Sequence, residues 1–242
     1  MPEGKKVRTM FAGIARRYDL ANLLLSGGCC RWWTKKLVAL VARERPKEIA
    51  DLATGSGDVA FALRRKIPSA HIRGFDFCEE MLAVARSRAA KLFPAENSVP
   101  AEKTAVSGAL EFAFGDCMAL PLADDSVDAA TIAYGVRNFE DRARGLRELR
   151  RIVHRGGKVF ILEFTQPARF FRPIYFFYLK FVLPLAARVI TGDKKAYDYL
   201  AGSIGAFPPK EKLSEELLAA GFSSVRAVGF TASIVAVHIA EK

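Results

Sequence analysis

Short apolar runs alternate along this chain with stretches in which apolar positions recur every three or four residues. Runs at 48–53, 71–77, 110–115, 127–134 and 158–164 read as buried strands. The helical period falls at 58–66, 79–92 and 141–153, the last ending at a turn on Gly156-Gly157. A further helix at 210–220 ends at Gly221. Two alternating runs, 223–230 and 234–240, follow with the short Thr231-Ala232-Ser233 link of an antiparallel hairpin. Strands alternating with helices predict a parallel sheet covered on both faces. The fold class expected is α/β: a doubly wound, Rossmann-like seven-stranded sheet closed by a reversed C-terminal hairpin. Residues 7–45 are amphipathic and helical in period and predict an N-terminal helical cap. Residues 93–108 hold prolines and small polar residues without a period and predict a surface loop. The chain divides as one domain: a cap over 1–45, a cofactor-binding core over 46–165, an aromatic insert over 166–205, and a final helix and hairpin over 206–242.

The stretch Asp51-Leu52-Ala53-Thr54-Gly55-Ser56-Gly57-Asp58 carries the first chemical signal. A strand ends in an acid, passes two glycines and opens a helix. Gly55 and Gly57 can take positive φ and let backbone approach a ligand, while Asp58 suits a helix N-terminus. Asp76, closing the next strand, is placed to accept hydrogen bonds from two ribose hydroxyls. The turn also satisfies the loose dinucleotide pattern G-x-G-x-x-G/A. Asp51 at the strand end, a partner for a methionine ammonium, separates the two readings. So does Gly115-Asp116-Cys117, where an acid can accept from an adenine amino group. Together they favour S-adenosyl-L-methionine over a nicotinamide dinucleotide. The architecture is then that of a class I S-adenosylmethionine-dependent methyltransferase.

Charge and composition add a partner. The 242 residues carry a net charge of +11, 51% are hydrophobic and 18 are Phe. A basic exterior is drawn to polyanions, either nucleic acid or an anionic membrane. Phe170–Leu183 is the most aromatic segment, with Arg172 and Lys180 within it. It reads as a greasy insert lining a substrate tunnel or touching a bilayer, or else as a buried crossover helix. It is too interrupted to span a membrane, and the basic N-terminus lacks the apolar core of a secretory signal. The four cysteines form no C-x-x-C pair, and no histidine stands at metal-ligand spacing, so reduced thiols in the cytoplasm and no metal are expected. His71, His154 and His238 avoid the carboxyl ends of the first four strands. His238 would be the exception if the hairpin folded over the pocket.

Several separated motifs resemble the UbiE/MenG family of quinone C-methyltransferases from about Val7 to Lys242. They are Tyr18-Asp19 with Asn22, Ser26-x-Gly28-x-x-Arg31-x-Trp33, the Asp51–Asp58 turn, Asp76 with Met81-Leu82, and Gly115-Asp116. The most specific are Thr131-Ile132-Ala133-Tyr134-Gly135-Val136-Arg137-Asn138 and Phe207-Pro208 with Ala220-Gly221-Phe222. The resemblance implies methyl transfer from S-adenosylmethionine to a ring carbon of a polyprenylated quinol in menaquinone or ubiquinone synthesis. It also implies cofactor contacts at Ser56, Asp76, Asp116-Cys117 and Ala133. Cys30 stands where many members have His, and Gly202 and Gly205 replace polar residues common in one branch. The quinone therefore stays open between the two, leaning to demethylmenaquinol.

Such a transfer needs an aligned, electron-rich carbon. Arg137 is the candidate for stabilising the acceptor oxyanion, with Asn138 as a fixed hydrogen-bond partner. Tyr18 and Asp19, in the cap, could orient the quinol, take its proton through water, or only fix the cap. Peripheral association with the inner face of the membrane is expected, nucleic acid is not, and a homodimer stays open. A nucleic-acid methyltransferase is the distant alternative. Ala133-Tyr134-Gly135-Val136 lacks the Asn/Asp-Pro-Pro-aromatic motif of amino methylation, and no cysteine follows strand four. A non-catalytic protein that keeps the cofactor fold is a third class.

Overall fold

The computed structural model describes residues 26, 28–94, 108–182 and 194–242. Tyr18, Asp19, Asn22 and most of the expected cap lie outside the described residues, as do most of the 93–108 loop and part of the aromatic insert. In chain order the elements are α1 (Cys29–Arg43), β1 (Glu48–Leu52), α2 (Asp58–Lys66), β2 (His71–Asp76), α3 (Glu79–Leu92), β3 (Leu110–Phe114) and β4 (Val127–Ala133). A 3₁₀ turn (Val136–Asn138) leads into α4 (Arg142–Ile152) and β5 (Val153–Phe164). Then come α5 (Arg172–Phe177), continued by a π-helical turn (Tyr178–Val182), α6 (Lys194–Ala206), α7 (Lys210–Ala219), β6 (Ser224–Phe230) and β7 (Val235–Glu241).

The strands form one seven-stranded sheet in the order β3-β2-β1-β4-β5-β7-β6. β1 to β5 run parallel, while β7 is antiparallel to both β5 and β6. Side chains alternate across this sheet, so each central strand feeds two cores. Ile49, Ala129, Phe160 and Leu162 pack with Leu37 and Val41 of α1 and Leu63 of α2. Their neighbours Ala50, Leu52, Ala130, Ile132, Val159 and Ile161 pack on the other face with Leu146 and Leu149 of α4 and Leu213 and Leu217 of α7. Both faces being covered explains why the strands read as continuous apolar runs. Helix starts follow local chemistry: Asp141 caps α4 by accepting from the Arg144 N–H at 2.9 Å, and a proline sits in the first turn of α5.

The structure corrects the reading of the glycine pair. Gly156-Gly157 is not a turn before a strand, because β5 already begins at Val153. Val127 pairs with Val153 and Ala129 with Lys158, so His154–Gly157 bulge out of an otherwise continuous ladder. Gly156 takes φ +80° there, and a Cβ on Gly157 would lie 2.7 Å from the Asp128 carbonyl oxygen. The condition under which His238 would reach the pocket is not met. The last hairpin extends the sheet beside β5, and His238 is buried within β7, its Nε2 2.8 Å from the Lys210 carbonyl oxygen. The described part of the aromatic segment, up to Val182, is two-faced rather than wholly buried. Tyr175 and Leu179 point inward, while Phe170, Ile174, Phe177 and Phe181 stand exposed.

Candidate active site

In a doubly wound sheet ligands bind at the carboxyl ends of the strands where the order reverses, here between β1 and β4. The β1–α2 loop lies at that point. Ala53, Gly55 and Gly57 have φ of +47°, +55° and +90°, so the chain curls tightly before α2 begins. A Cβ on Gly57 would sit 2.7 Å from the Phe61 ring, so glycine is required there for space as well as conformation. The loop is tied down on both sides. Gly55 N–H donates to Asp76 Oδ2 at 2.8 Å, and Thr54 N–H to the Phe75 carbonyl at 2.9 Å. Arg88 of α3 donates to the Ser56 carbonyl at 2.9 Å and pairs with Asp58 at 2.6 Å. Asp58 therefore has a partner beyond its place at the helix start.

Asp51 is 1% exposed, and each carboxylate oxygen accepts a threonine hydroxyl at 2.6 Å: Thr54 on Oδ2 and Thr131 of β4 on Oδ1. Burial lifts its pKa to about 6 against the pull of the two hydroxyls. Asp76 is also buried, its carboxyl pushed above the usual range by desolvation. It accepts from the Gly55 and Cys78 N–H groups, which leaves lone pairs for further donors. After β3, Asp116 Oδ1 accepts from the Met118 N–H at 2.8 Å. Cys117 is buried among Leu120, Leu122 and Phe75, and burial raises its thiol so far that it is protonated at neutral pH. Asp51, Gly55, Ser56, Gly57, Asp76, Asp116, Cys117 and Ala133 thus lie at or just beyond the carboxyl ends of β1 to β4. Positive-φ glycines, two buried carboxylates with spare acceptor capacity and a strand-end acid suit the amino-acid and ribose parts of S-adenosylmethionine. A separate open depression of about 460 Å³ between Met118–Leu120 and Arg144, Arg147, Glu148 and Arg151 is lined by none of these residues.

Beyond β4 the backbone turns sharply. Tyr134 has φ +59°, uncommon for a side chain of its size, and its N–H donates to the Leu162 carbonyl at 2.8 Å. The next residue packs so closely that a Cβ on Gly135 would lie 2.8 Å from Ala53. Arg137 is not an open surface cation. Its side chain is 3% exposed and its Nη1 lies 2.9 Å from Oε1 of Glu163, which is 1% exposed. The same Nη1 donates to the Tyr134 carbonyl, and the guanidinium lies over the Tyr134 and Phe164 rings, 5.9 and 5.5 Å from their centroids. Asn138 Oδ1 accepts from the Tyr199 hydroxyl of α6 at 2.9 Å. Tyr175 of α5 and Tyr199 both feel the Arg137 charge, but burial is the larger influence and holds both phenols above their usual pKa.

Sequence reasoning missed Glu163, Thr131 as a partner of Asp51, and the Tyr175 and Tyr199 hydroxyls. One signal was present: Glu163 is the acid in an otherwise apolar strand run. The histidines stand elsewhere. His71 Nδ1 is 3.1 Å from Glu48 at the amino ends of β1 and β2, and His154 Nε2 is 2.8 Å from Asp128 at the start of β4.

A profile of the ubiE/COQ5 methyltransferase family matches residues 2–242. The chain belongs to the ubiE/COQ5 methyltransferase family. Among similar members, demethylmenaquinone methyltransferase of Thermus thermophilus is 40% identical over 234 residues, spanning 96% of this chain and 100% of that protein. The ubiquinone/menaquinone biosynthesis C-methyltransferase UbiE of Geobacter sulfurreducens is 36% identical over 242 residues, 99% of this chain and 90% of its own. In fold, this ubiE/COQ5 family chain is similar to a SAM-dependent methyltransferase of Thermotoga maritima, a possible histamine N-methyltransferase. That likeness has a TM-score of 0.63 at 18% identity and covers 97% of this chain and 99% of the other. The family is one of methyltransferases, and the methyl donor is S-adenosyl-L-methionine.

Proposed function

We propose that this chain methylates a ring carbon of a polyprenylated quinol, with demethylmenaquinol as the acceptor. The carrying observation is end-to-end similarity to demethylmenaquinone methyltransferases, 40% identical in the Thermus protein. The cleft supports the same reading. In it, Gly55, Ser56 and Gly57 receive the amino-acid part of the cofactor and Asp51 its ammonium. Asp76 would accept from the ribose hydroxyls, Asp116 and Cys117 would hold the adenine, and Ala133 at the end of β4 would contribute a further contact. Bound there, the cofactor supplies a methyl group made electrophilic by its sulfonium.

The chain's remaining task is to place and activate the acceptor. A quinol hydroxyl has a phenol-like pKa of about 10, so a nearby cation that favours the oxyanion enriches the ortho carbon. Arg137 fills that role and Asn138, held by Tyr199, fixes the ring. Tyr18 and Asp19, which lie outside the described residues, are assigned to orient the quinol or accept its proton through water. The exposed ridge Phe170, Ile174, Phe177 and Phe181, with Arg169, Arg172 and Lys180 beside it, is assigned to peripheral contact with the anionic inner face of the membrane. Among the described residues no helix is long and apolar enough to cross a membrane.

The name of the Geobacter relative favours a second reading in which a ubiquinone precursor is also accepted. One experiment tests both. Purified protein is incubated with methyl-labelled S-adenosylmethionine and reduced demethylmenaquinone or a ubiquinone-precursor analogue, and the lipid extract is analysed by mass. One added ring methyl on demethylmenaquinol alone supports the first reading, and on both acceptors the second. Transfer to neither, with cofactor binding intact, overturns quinol methylation.

A further inference from the structure

The carboxylate of Glu163 is the buried acid that no cofactor assignment uses. It ends the apolar stretch Val159–Leu162 of β5 and is 1% exposed, a position that a lone carboxylate does not tolerate. Three donors compensate it. Oε1 accepts from Arg137 Nη1 at 2.9 Å and from the Phe164 N–H at 2.8 Å, and Oε2 accepts from the Arg137 N–H at 3.2 Å. One carboxylate therefore grips Arg137 at both its backbone and its guanidinium. The guanidinium in turn holds the carbonyl of Tyr134, the residue bent to φ +59°. The 3₁₀ turn, the end of β4 and the end of β5 meet on this one acid.

We propose that Glu163 is a positioning residue for the methyl acceptor: it fixes where the Arg137 guanidinium meets the acceptor oxygen and sets how much positive charge that oxygen feels. The proposal rests on the reading that Arg137 faces the acceptor. With Glu163 ionised the pair is formally neutral, so the acceptor oxyanion forms against a partly compensated cation. Without the acid it would form against a full one. Among the described residues, the other titratable groups facing the pair include Tyr134 at the end of β4, Tyr175 of α5 and Tyr199 of α6. The last two are held above the usual phenol range by burial.

The test uses the full chain carrying Glu163→Gln, Glu163→Asp or Arg137→Ala, with kcat, KM for the quinol, the pH profile of kcat between about 6 and 10, and cofactor affinity by calorimetry. Glu163→Gln keeps the shape and removes the charge. It is expected to bind cofactor normally, to lose roughly ten- to hundredfold in kcat through misplacement of the guanidinium, and to shift the acid limb of the profile down by about one pH unit. Glu163→Asp keeps the charge on a shorter arm, so kcat falls while the limb stays in place. An unmoved limb in Glu163→Gln, with kcat lost only in proportion to folded protein, overturns the proposal. If Glu163→Gln fails to fold, Glu163→Asp decides: parental kcat and KM overturn it, and a lowered kcat at full cofactor affinity sustains it. Undiminished turnover in Arg137→Ala overturns the reading of Arg137 and this proposal with it. An inactive Arg137→Ala beside an unmoved Glu163→Gln limb removes the Glu163 role alone.

Discussion

The burial of Asp51 carries a measurable cost in stability. Its carboxyl is raised from 3.8 to about 6, chiefly by burial, and a shift of roughly two units at 1.36 kcal/mol each is about 3 kcal/mol. Because the folded pKa is the higher one, this group favours folding when protonated. That contribution is complete below pH 3.8 and is lost as the pH rises through about 6. Above neutrality the folded chain therefore holds an ionised acid that the unfolded chain would hydrate more cheaply. Asp51→Asn removes the charge but keeps the shape, and the Thr54 and Thr131 hydroxyls can accept from the amide as readily as they donate to the acid. The variant should be more stable than the parent by about 3 kcal/mol at pH 8, less about 1 kcal/mol for imperfect hydrogen bonds. The gain should shrink by about 1.5 kcal/mol by pH 5, and this pH-dependent part does not depend on how well the amide is accommodated. Urea unfolding of both proteins at the two pH values reads the difference directly. On the proposed role of Asp51 as partner of the cofactor's ammonium, the cofactor should bind at least roughly tenfold more weakly to the variant. A stability gap that is the same at pH 5 and pH 8 would refute the account, because it would place the cost of Asp51 in something other than its charge.

Other outcomes follow from the same geometry. Gly57→Ala forces a side chain to φ +90° and into the Phe61 ring, and should cost more than about 1 kcal/mol in urea unfolding as well as cofactor affinity. Asp76→Ala should abolish tight cofactor binding while Arg137→Ala leaves it nearly intact and lowers turnover; calorimetry showing equal losses would remove Arg137 from the acceptor side. The two structural histidines should oppose each other in pH dependence. His154 is raised by the Arg155 carbonyl and Asp128, so its contribution is full below pH 6.5 and is lost as pH rises through its folded pKa. His238 is lowered by burial, so its contribution is full above pH 6.5 and is lost as pH falls through its folded pKa. Unfolding curves of His154→Gln and His238→Gln should therefore flatten opposite limbs of the stability profile. Phe177→Ser with Phe181→Ser should reduce sedimentation with anionic vesicles and leave turnover of a short-chain quinol analogue unchanged; unchanged sedimentation would remove the ridge from the membrane assignment.

The strands and the glycine loop were legible because each rests on a local rule. Continuous apolar runs mark strands covered on both faces, and two glycines spaced by one residue mark a turn that only positive φ can make. Gly156-Gly157 misled because a glycine pair signals a turn, whereas here the partner strand β4 was close enough to pair with Val153 and turn the same residues into a bulge. Of the proposed site, the placement of Asp51 and Asp76 as strand-end acids was legible from position alone. The contacts around Arg137 were not. Glu163 meets Arg137 across the gap between adjacent strands, Tyr199 reaches Asn138 from a helix much later in the chain, and Tyr134 takes a left-handed backbone with no glycine to announce it. Such features come from tertiary pairing, and no periodicity encodes them.

The placement of β7 between β5 and β6 bears on how the chain is made. β5, the strand that carries Glu163, has β4 on one side and only β7 on the other, yet β7 is the last of the seven to be synthesised. While the ribosome adds the intervening residues, at about 5–20 per second, the run Val159–Phe164 is an apolar edge open to any passing strand. Closure of the sheet and pairing of the segment that carries Glu163 thus wait on the same late event. A chain without Val235–Glu241 would leave that edge open to aggregation and would lack Ala236, the residue paired with Glu163.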